Sequence, residues 1–199
     1  MNIEKYYTFS SKLSSTTVQA HALGLSSKED DTGLFDQHRL IQGVYDGISF
    51  PVVFKQEYGK KLEDVLDTGW VNLYLISNKM KTVLEENALT GWKTFAVQVI
   101  DKKGREIQNY HGLSITGRCG KIDYSKSEII KDTLLGKYYK GLHVGLDKWD
   151  GSDFFMPEKY FGTIITNRVV EILKKNNITN IRLENLMEIK TPDFALLNQ

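Results

Sequence analysis

The chain lacks most of the features that announce a particular chemistry. It has one cysteine, Cys119, in 199 residues, which excludes an intramolecular disulfide framework and any cysteine-rich zinc site. A lone buried thiol is the expectation. No window approaches the roughly 20 consecutive apolar residues that span a bilayer, and Met1 to Tyr7 offers no apolar signal-peptide core. The expected location is the cytoplasm, with no membrane partner. A formal net charge of +1 gives no reason to expect nucleic acid, whose binders usually carry a concentrated basic patch. Residues 1–70 are mildly acidic, with seven Lys/Arg against ten Asp/Glu. No segment fits the glycine-rich phosphate loops G-x-x-x-x-G-K-[ST] or G-x-G-x-x-G, and there is no G-x-S-x-G nucleophile elbow. His21, His38, His111 and His143 are scattered without the i, i+4 partner of a helical metal site, and His143 reads as a hydrogen-bonded structural histidine.

What remains is an ordinary globular composition, 41% hydrophobic and 26% charged, enough for one sizeable core or two small ones. Within it the chain says one thing twice, at an offset of 89 residues from Leu75 to Ile164. Ile76/Ile165, Asn78/Asn167, Leu84/Leu173, Asn87/Asn176 and Thr90/Thr179 are identical, while Ser77/Thr166, Lys79/Arg168 and Leu89/Ile178 are alike. Each copy reads as strand, capped helix, strand. Ser77 or Thr166, or the Asn that follows, suits a helix N-cap. Met80, Val83 and Leu84, and likewise Val169, Ile172 and Leu173, fall on one helical face that must pack on a sheet. Asn87 and Asn176 sit where a left-handed C-terminal cap is wanted. Strands are expected to follow, Trp92 to Ile100 and Ile181 to Ile189.

Two copies are too few for a solenoid, so a duplicated half inside one compact domain, or two packed halves, is inferred, with convergence of unrelated units as the alternative. Elsewhere, Tyr6 to Phe9 and Ile48 to Phe54 read as short strands, the latter at an edge because of Pro51. Ser10 to Thr17 reads as loop and Lys28 to Gly33 as a solvated turn. Leu62 to Asp67 has the spacing of one helical turn. Asp101 to Gly104 joins Trp92–Ile100 to Ile107–Ile115 as a hairpin, and the tail from Thr191 is expected to be loosely held. The class is α+β with mostly antiparallel sheets. The expected division is a variable N-terminal region over 1–59, a first half over 60–120 and a second over 121–199.

Asp147, Asp150 and Asp153 are the sharpest acidic cluster. Three carboxylates can bind a hard divalent ion, but the i, i+3, i+6 spacing is not that of a calcium loop, and Asp150-Gly151-Ser152-Asp153 reads more simply as a turn capped by Asp side chains. Trp149, Phe154 and Phe155 surround it as an aromatic cluster, ordinarily a core anchor. Where exposed, aromatics beside charge make a partner surface, so Trp149, Asp150, Asp153 and Phe154 are the candidate partner-binding residues.

The order of an apolar-Ser-Asn-Lys helix start, then Ile122-Asp123-Tyr124-Ser125-Lys126-Ser127-Glu128, then Trp149-Asp150-Gly151-Ser152-Asp153-Phe154-Phe155, then Ile164-Ile165-Thr166-Asn167-Arg168 resembles the bacterial immunity proteins of polymorphic toxin systems called immunity family eleven. The likeness covers about residues 60–190. It implies a cytoplasmic protein without catalysis or cofactor that binds and blocks a cognate toxin domain, and it carries no established contact residues. Residues 1–59, outside the likeness, would suit a surface that follows a changing toxin. Two rivals stay open: a divalent-metal hydrolase or transferase built on the three aspartates, which requires them to converge in a pocket, and a small-ligand regulatory module, which requires an apolar pocket of about 300 Å³ or more between the halves.

Overall fold

A computed structural model describes residues 3–12, 14–26, 28–29, 33–133 and 136–192. Along the chain run β1 (Tyr6–Ser11), β2 (Gln19–Leu23), α1 (Asp36–Gln42), β3 (Val52–Tyr58), β4 (Val65–Asp67), β5 (Tyr74–Ser77), α2 (Asn78–Glu86), β6 (Trp92–Phe95), β7 (Val97–Ile100), β8 (Glu106–Ile107), β9 (Tyr110–Ile115) and β10 (Gly117–Ile122). They are followed by β11 (Glu128–Thr133), β12 (Gly136–Lys140), β13 (Val144–Gly145), β14 (Phe154–Pro157), β15 (Thr163–Thr166), α3 (Asn167–Lys175), β16 (Ile181–Asn185) and β17 (Lys190–Pro192). The class is α+β, and most strand pairs are antiparallel.

Among the described residues three sheets form, and the two large ones match. One runs β6-β9-β5-β4-β2-β3 and continues to β7-β8; the other runs β16-β1-β15-β14-β10-β13. Strand for strand, the second repeats the first six of the other. Val65 pairs with Ile76 as Phe154 pairs with Ile165, and Leu66 with Leu75 as Phe155 with Ile164. The 89-residue offset seen in the sequence thus holds in the register. β4 meets β2 in parallel, and β14 meets β10 in parallel.

The first strand of each set crosses over. β1 lies between β15 and β16, yet the chain continues from it into β2 of the other sheet. β9 lies between β5 and β6, and the chain continues into β10 of the opposite sheet. Residues 1–59, expected to be a variable region with short strands, supply strands to both sheets. A single large apolar cluster runs through both, including Phe9, Phe54, Leu75, Met80 and Leu84 together with Phe154, Ile165, Val169 and Leu173. A smaller cluster, with Tyr6, Cys119, Leu146, Phe155 and Ile164, lies on the far side of the second sheet. Alternation explains it: Phe154 and Ile165 face one cluster, Phe155 and Ile164 the other.

The helical faces are largely as expected, with Met80, Val83 and Leu84 buried in α2 and Val169 and Leu173 in α3, where Val170 rather than Ile172 completes the buried set. The C-caps differ. Asn87 and Asn176 have φ of −93° and −91°, and the left-handed residues are the next ones, Ala88 (φ 47°) and Asn177 (φ 50°). Each Asn instead turns its Nδ2 back to the carbonyl four residues earlier, Val83 or Ile172, satisfying a last-turn acceptor. Leu62 to Asp67 is not a helical turn; Val65 and Leu66 are both fully buried as β4, between β2 and β5. The expected Trp92–Ile100 strand breaks at Ala96, so that β6 joins β9 while β7 turns to β3 and β8. The second repeat's strand ends at Asn185, where a short 3₁₀ turn begins. The expected turn over Lys28 to Gly33 lies partly outside the described residues, as does the tail beyond Pro192. Among the described residues, no helix is long and apolar enough to cross a membrane.

Candidate functional site

The segment from Trp149 to Phe154 enters β14 through a turn held by its own side chains. Asp150 accepts the backbone N–H of Arg118 at 2.7 Å and that of Ser152 at 3.0 Å, together with the Ser152 hydroxyl. Burial alone would raise its pKa; the bonds from Ser152 and Arg118 outweigh it and hold the carboxyl below the usual range. The Trp149 indole N–H closes the turn on the Ser152 carbonyl at 3.1 Å. Gly91 and Gly117 let the main chain approach: a Cβ on either would stand 2.0 or 2.2 Å from the Phe154 carbonyl oxygen.

Asp153 faces inward and joins the two units. Its carboxylate accepts the Thr90 N–H at 3.1 Å and hydroxyl at 3.3 Å, the Thr166 hydroxyl at 3.1 Å and Arg168 Nη1 at 3.0 Å. Its own N–H donates to the Thr90 hydroxyl at 3.1 Å. At the same 89-residue offset stands Asp64, which sequence reasoning missed. It accepts the Thr179 N–H at 2.9 Å and hydroxyl at 3.0 Å, the Ser77 hydroxyl at 2.8 Å and Lys79 Nζ at 3.2 Å, while its N–H donates to the Thr179 hydroxyl. Each aspartate thus clasps a threonine of the other copy, Asp64 to Thr179 and Asp153 to Thr90. Burial opposes ionisation of Asp64, but the Thr179, Ser77 and Lys79 bonds prevail and lower its pKa. The arrangement also divides the cap duties. Ser77 both donates to Asp64 and caps Met80 N–H at 3.1 Å, whereas Thr166 donates to Asp153 and caps nothing.

The three aspartates of the sequence cluster are therefore not convergent. Asp147 is exposed, Asp150 caps backbone and Asp153 is 6% exposed within its clasp. Among the described residues no group of three or more His, Cys, Asp or Glu is placed to hold a metal ion. Of the candidate contact residues, Phe154 is fully buried and Asp153 nearly so, so neither offers surface to a partner. Trp149 is half-buried, edge-on to Tyr6 at 5.6 Å, and Asp150 is exposed. The His143 ring forms no hydrogen bond among the described residues; it lines an open cleft with Asp123, Lys126 and Asp147.

The β4–β5 turn and the β14–β15 turn, again equivalent, meet beside α1. Trp70, Val71, Tyr160 and Phe161 line an apolar hollow of about 400 Å³ there, with His38 stacked on Phe161 at 4.1 Å. Burial lowers the His38 pKa against the opposing charge of Glu29, and its buried Nδ1 has no hydrogen-bond partner among the described residues. Cys119 is buried, and loss of hydration pushes its thiol up to about 12.

Comparison with known proteins adds one match. The model of an immunity protein family, Imm11, matches residues 6–188. The match begins within β1, so residues 6–59, expected to lie outside the likeness, are inside it. No curated protein matches the chain.

Proposed function

The chain belongs to the immunity protein family Imm11, and from that premise we propose that it neutralises a cognate bacterial toxin domain in the cytoplasm by binding and occluding it, without catalysis of its own. The observation that carries this reading is the family match over nearly the whole described chain, joined to acids that are consumed internally: Asp64, Asp150 and Asp153 all spend their lone pairs on protein donors. The metal-hydrolase alternative needed Asp147, Asp150 and Asp153 to converge in a cleft; Asp147 is exposed, while Asp150 and Asp153 accept backbone N–H groups. The scaffold is a duplication, its repeats spanning about residues 6–95 and 110–185, each lending its first strand to the other. Such a body presents a rigid face, and occlusion needs an interface of about 1,200–2,000 Å² in total. The proposed contact points are the half-buried Trp149, packed on Tyr6 and Phe155, and the exposed Asp150 beside it.

Co-expression with its cognate toxin domain, sought among the neighbouring genes, tests the proposal. Cells should survive and the two proteins should co-purify; death of the cells, or separate elution, refutes it. The apolar hollow at Trp70 and Phe161 favours a second reading, a small-ligand module. That reading requires an apolar small molecule to raise the melting temperature in a way that Phe161→Ala abolishes.

A further inference from the structure

The net charge of +1 conceals a strong local imbalance. A groove of about 640 Å³ lies between the β1–β2 loop, the β3–β4 loop and the β7–β8 turn, and its lining carries Lys60, Lys61, Lys102, Lys103 and Arg105 against one carboxylate, Asp101. That carboxylate is already engaged, by the Arg105 guanidinium and by the N–H groups of Lys103 and Arg105 at 2.7 and 2.9 Å. Lys61 pairs with Glu63. Lys60, Lys102 and Lys103 are exposed and form no ion pair among the described residues.

The main chain that carries the cations is held in place. Asp101 ties the β7–β8 turn and so sets Lys102 and Lys103 at its tip. The opposite rim is fixed by main chain: Lys60 and Lys61 both donate to the Thr16 carbonyl, at 2.8 and 2.9 Å, and Val18 donates back to Lys61 at 2.9 Å. Gly59, at φ 74°, permits this contact, because a Cβ there would lie 1.9 Å from the Thr17 carbonyl oxygen. Flanking the rim, Tyr58 and Leu62 are 42% and 52% exposed. A pre-set group of cations beside an exposed aromatic and an exposed aliphatic side chain has the make-up of a contact surface rather than of ordinary solvated lysines.

We propose that this groove receives an acidic segment of the toxin domain, its lysines meeting carboxylates while Tyr58 and Leu62 pack at the edge. The inference rests on the neutralisation reading and adds to it the chemistry of the partner. A polypeptide fits better than nucleic acid, since none of the described residues lining the groove is aromatic, Tyr58 lying only at its edge, and the basic stretch is short. Complementary charge of this kind steers association and is screened by salt.

The test is K60E/K102E/K103E, assayed with the cognate toxin domain in a catalytically dead form, by titration at low and high salt. Wild type should bind, the variant should bind about 100-fold more weakly, and the salt dependence should flatten in the variant. A deca-glutamate peptide should compete with the toxin where a dT10 oligonucleotide does not. Unchanged affinity in a variant with an unchanged melting temperature overturns the inference and leaves neutralisation standing, as does stronger competition by the oligonucleotide. Failure of wild type to bind overturns both.

Discussion

Removing either clasping aspartate should cost the same, because the two occupy equivalent places. In Asp153→Ala, the Thr90 N–H and hydroxyl and the Thr166 hydroxyl lose their acceptor in a position 6% exposed. Each of these part-buried hydrogen bonds costs about 1 kcal/mol when lost. The lost ion pair adds little, since the Arg168 side chain is 53% exposed and such a pair contributes at most about 1 kcal/mol. About 3 kcal/mol in all is expected. For a chain of this size each kcal/mol moves the melting temperature by about 2–4 °C, so the fall should be about 6–12 °C by calorimetry at pH 7. Asp64→Ala leaves Thr179 and Ser77 in the same state, and its melting point should fall by a similar amount. Thr90→Val and Thr179→Val, which keep the N–H bond and lose the hydroxyl, should cost roughly 1 kcal/mol each. If both aspartate variants melt within 2 °C of the parent, the clasps contribute nothing and the reasoning fails. Unequal losses, one large and one near zero, would sink the equivalence while sparing the energetics.

Acid should weaken the first clasp. The Asp64 carboxyl is held below its ordinary value of 3.8, so its contribution is present above that pH and is lost as pH falls through the lowered folded value; melting between pH 7 and 3 should drop more steeply for wild type than for Asp64→Asn, and parallel slopes would count against it. Ala88→Gly should raise stability by about 0.5–1 kcal/mol, because φ of 47° is a left-handed conformation that alanine adopts at a cost; a lower melting point would contradict this. Cys119, with its thiol pushed up to about 12 by burial, should be inert to a disulfide reagent at pH 8 in the folded protein and react at once in denaturant; fast labelling without denaturant would show that the smaller cluster opens.

How much of this could be read in advance depended on whether the signal was local. The faces of α2 and α3 were legible, since three or four residues per face specify them. The clasp was half legible: Asp153 stood out in its cluster, while Asp64 looked ordinary. Carrying the 89-residue register back from Leu75 would have found it, because Asp64-Val65-Leu66 aligns with Asp153-Phe154-Phe155. Leu62 to Asp67 misled because alternation cannot show in a strand as short as β4, with both apolar residues buried. α1 gave no sign, its N-cap being Phe35 with no side-chain cap. The groove was invisible to net charge, as its lysines come from two places some 40 residues apart.

The crossed first strands also set a timetable for synthesis. β1 leaves the ribosome long before β15 and β16, the two strands it pairs with. Until they arrive, the nascent amino-terminal segment has donors and acceptors with nothing to pair with, and the second sheet stays open down its middle. The second sheet can close only once β15 and β16 have been made, and a message cut short before them leaves it open.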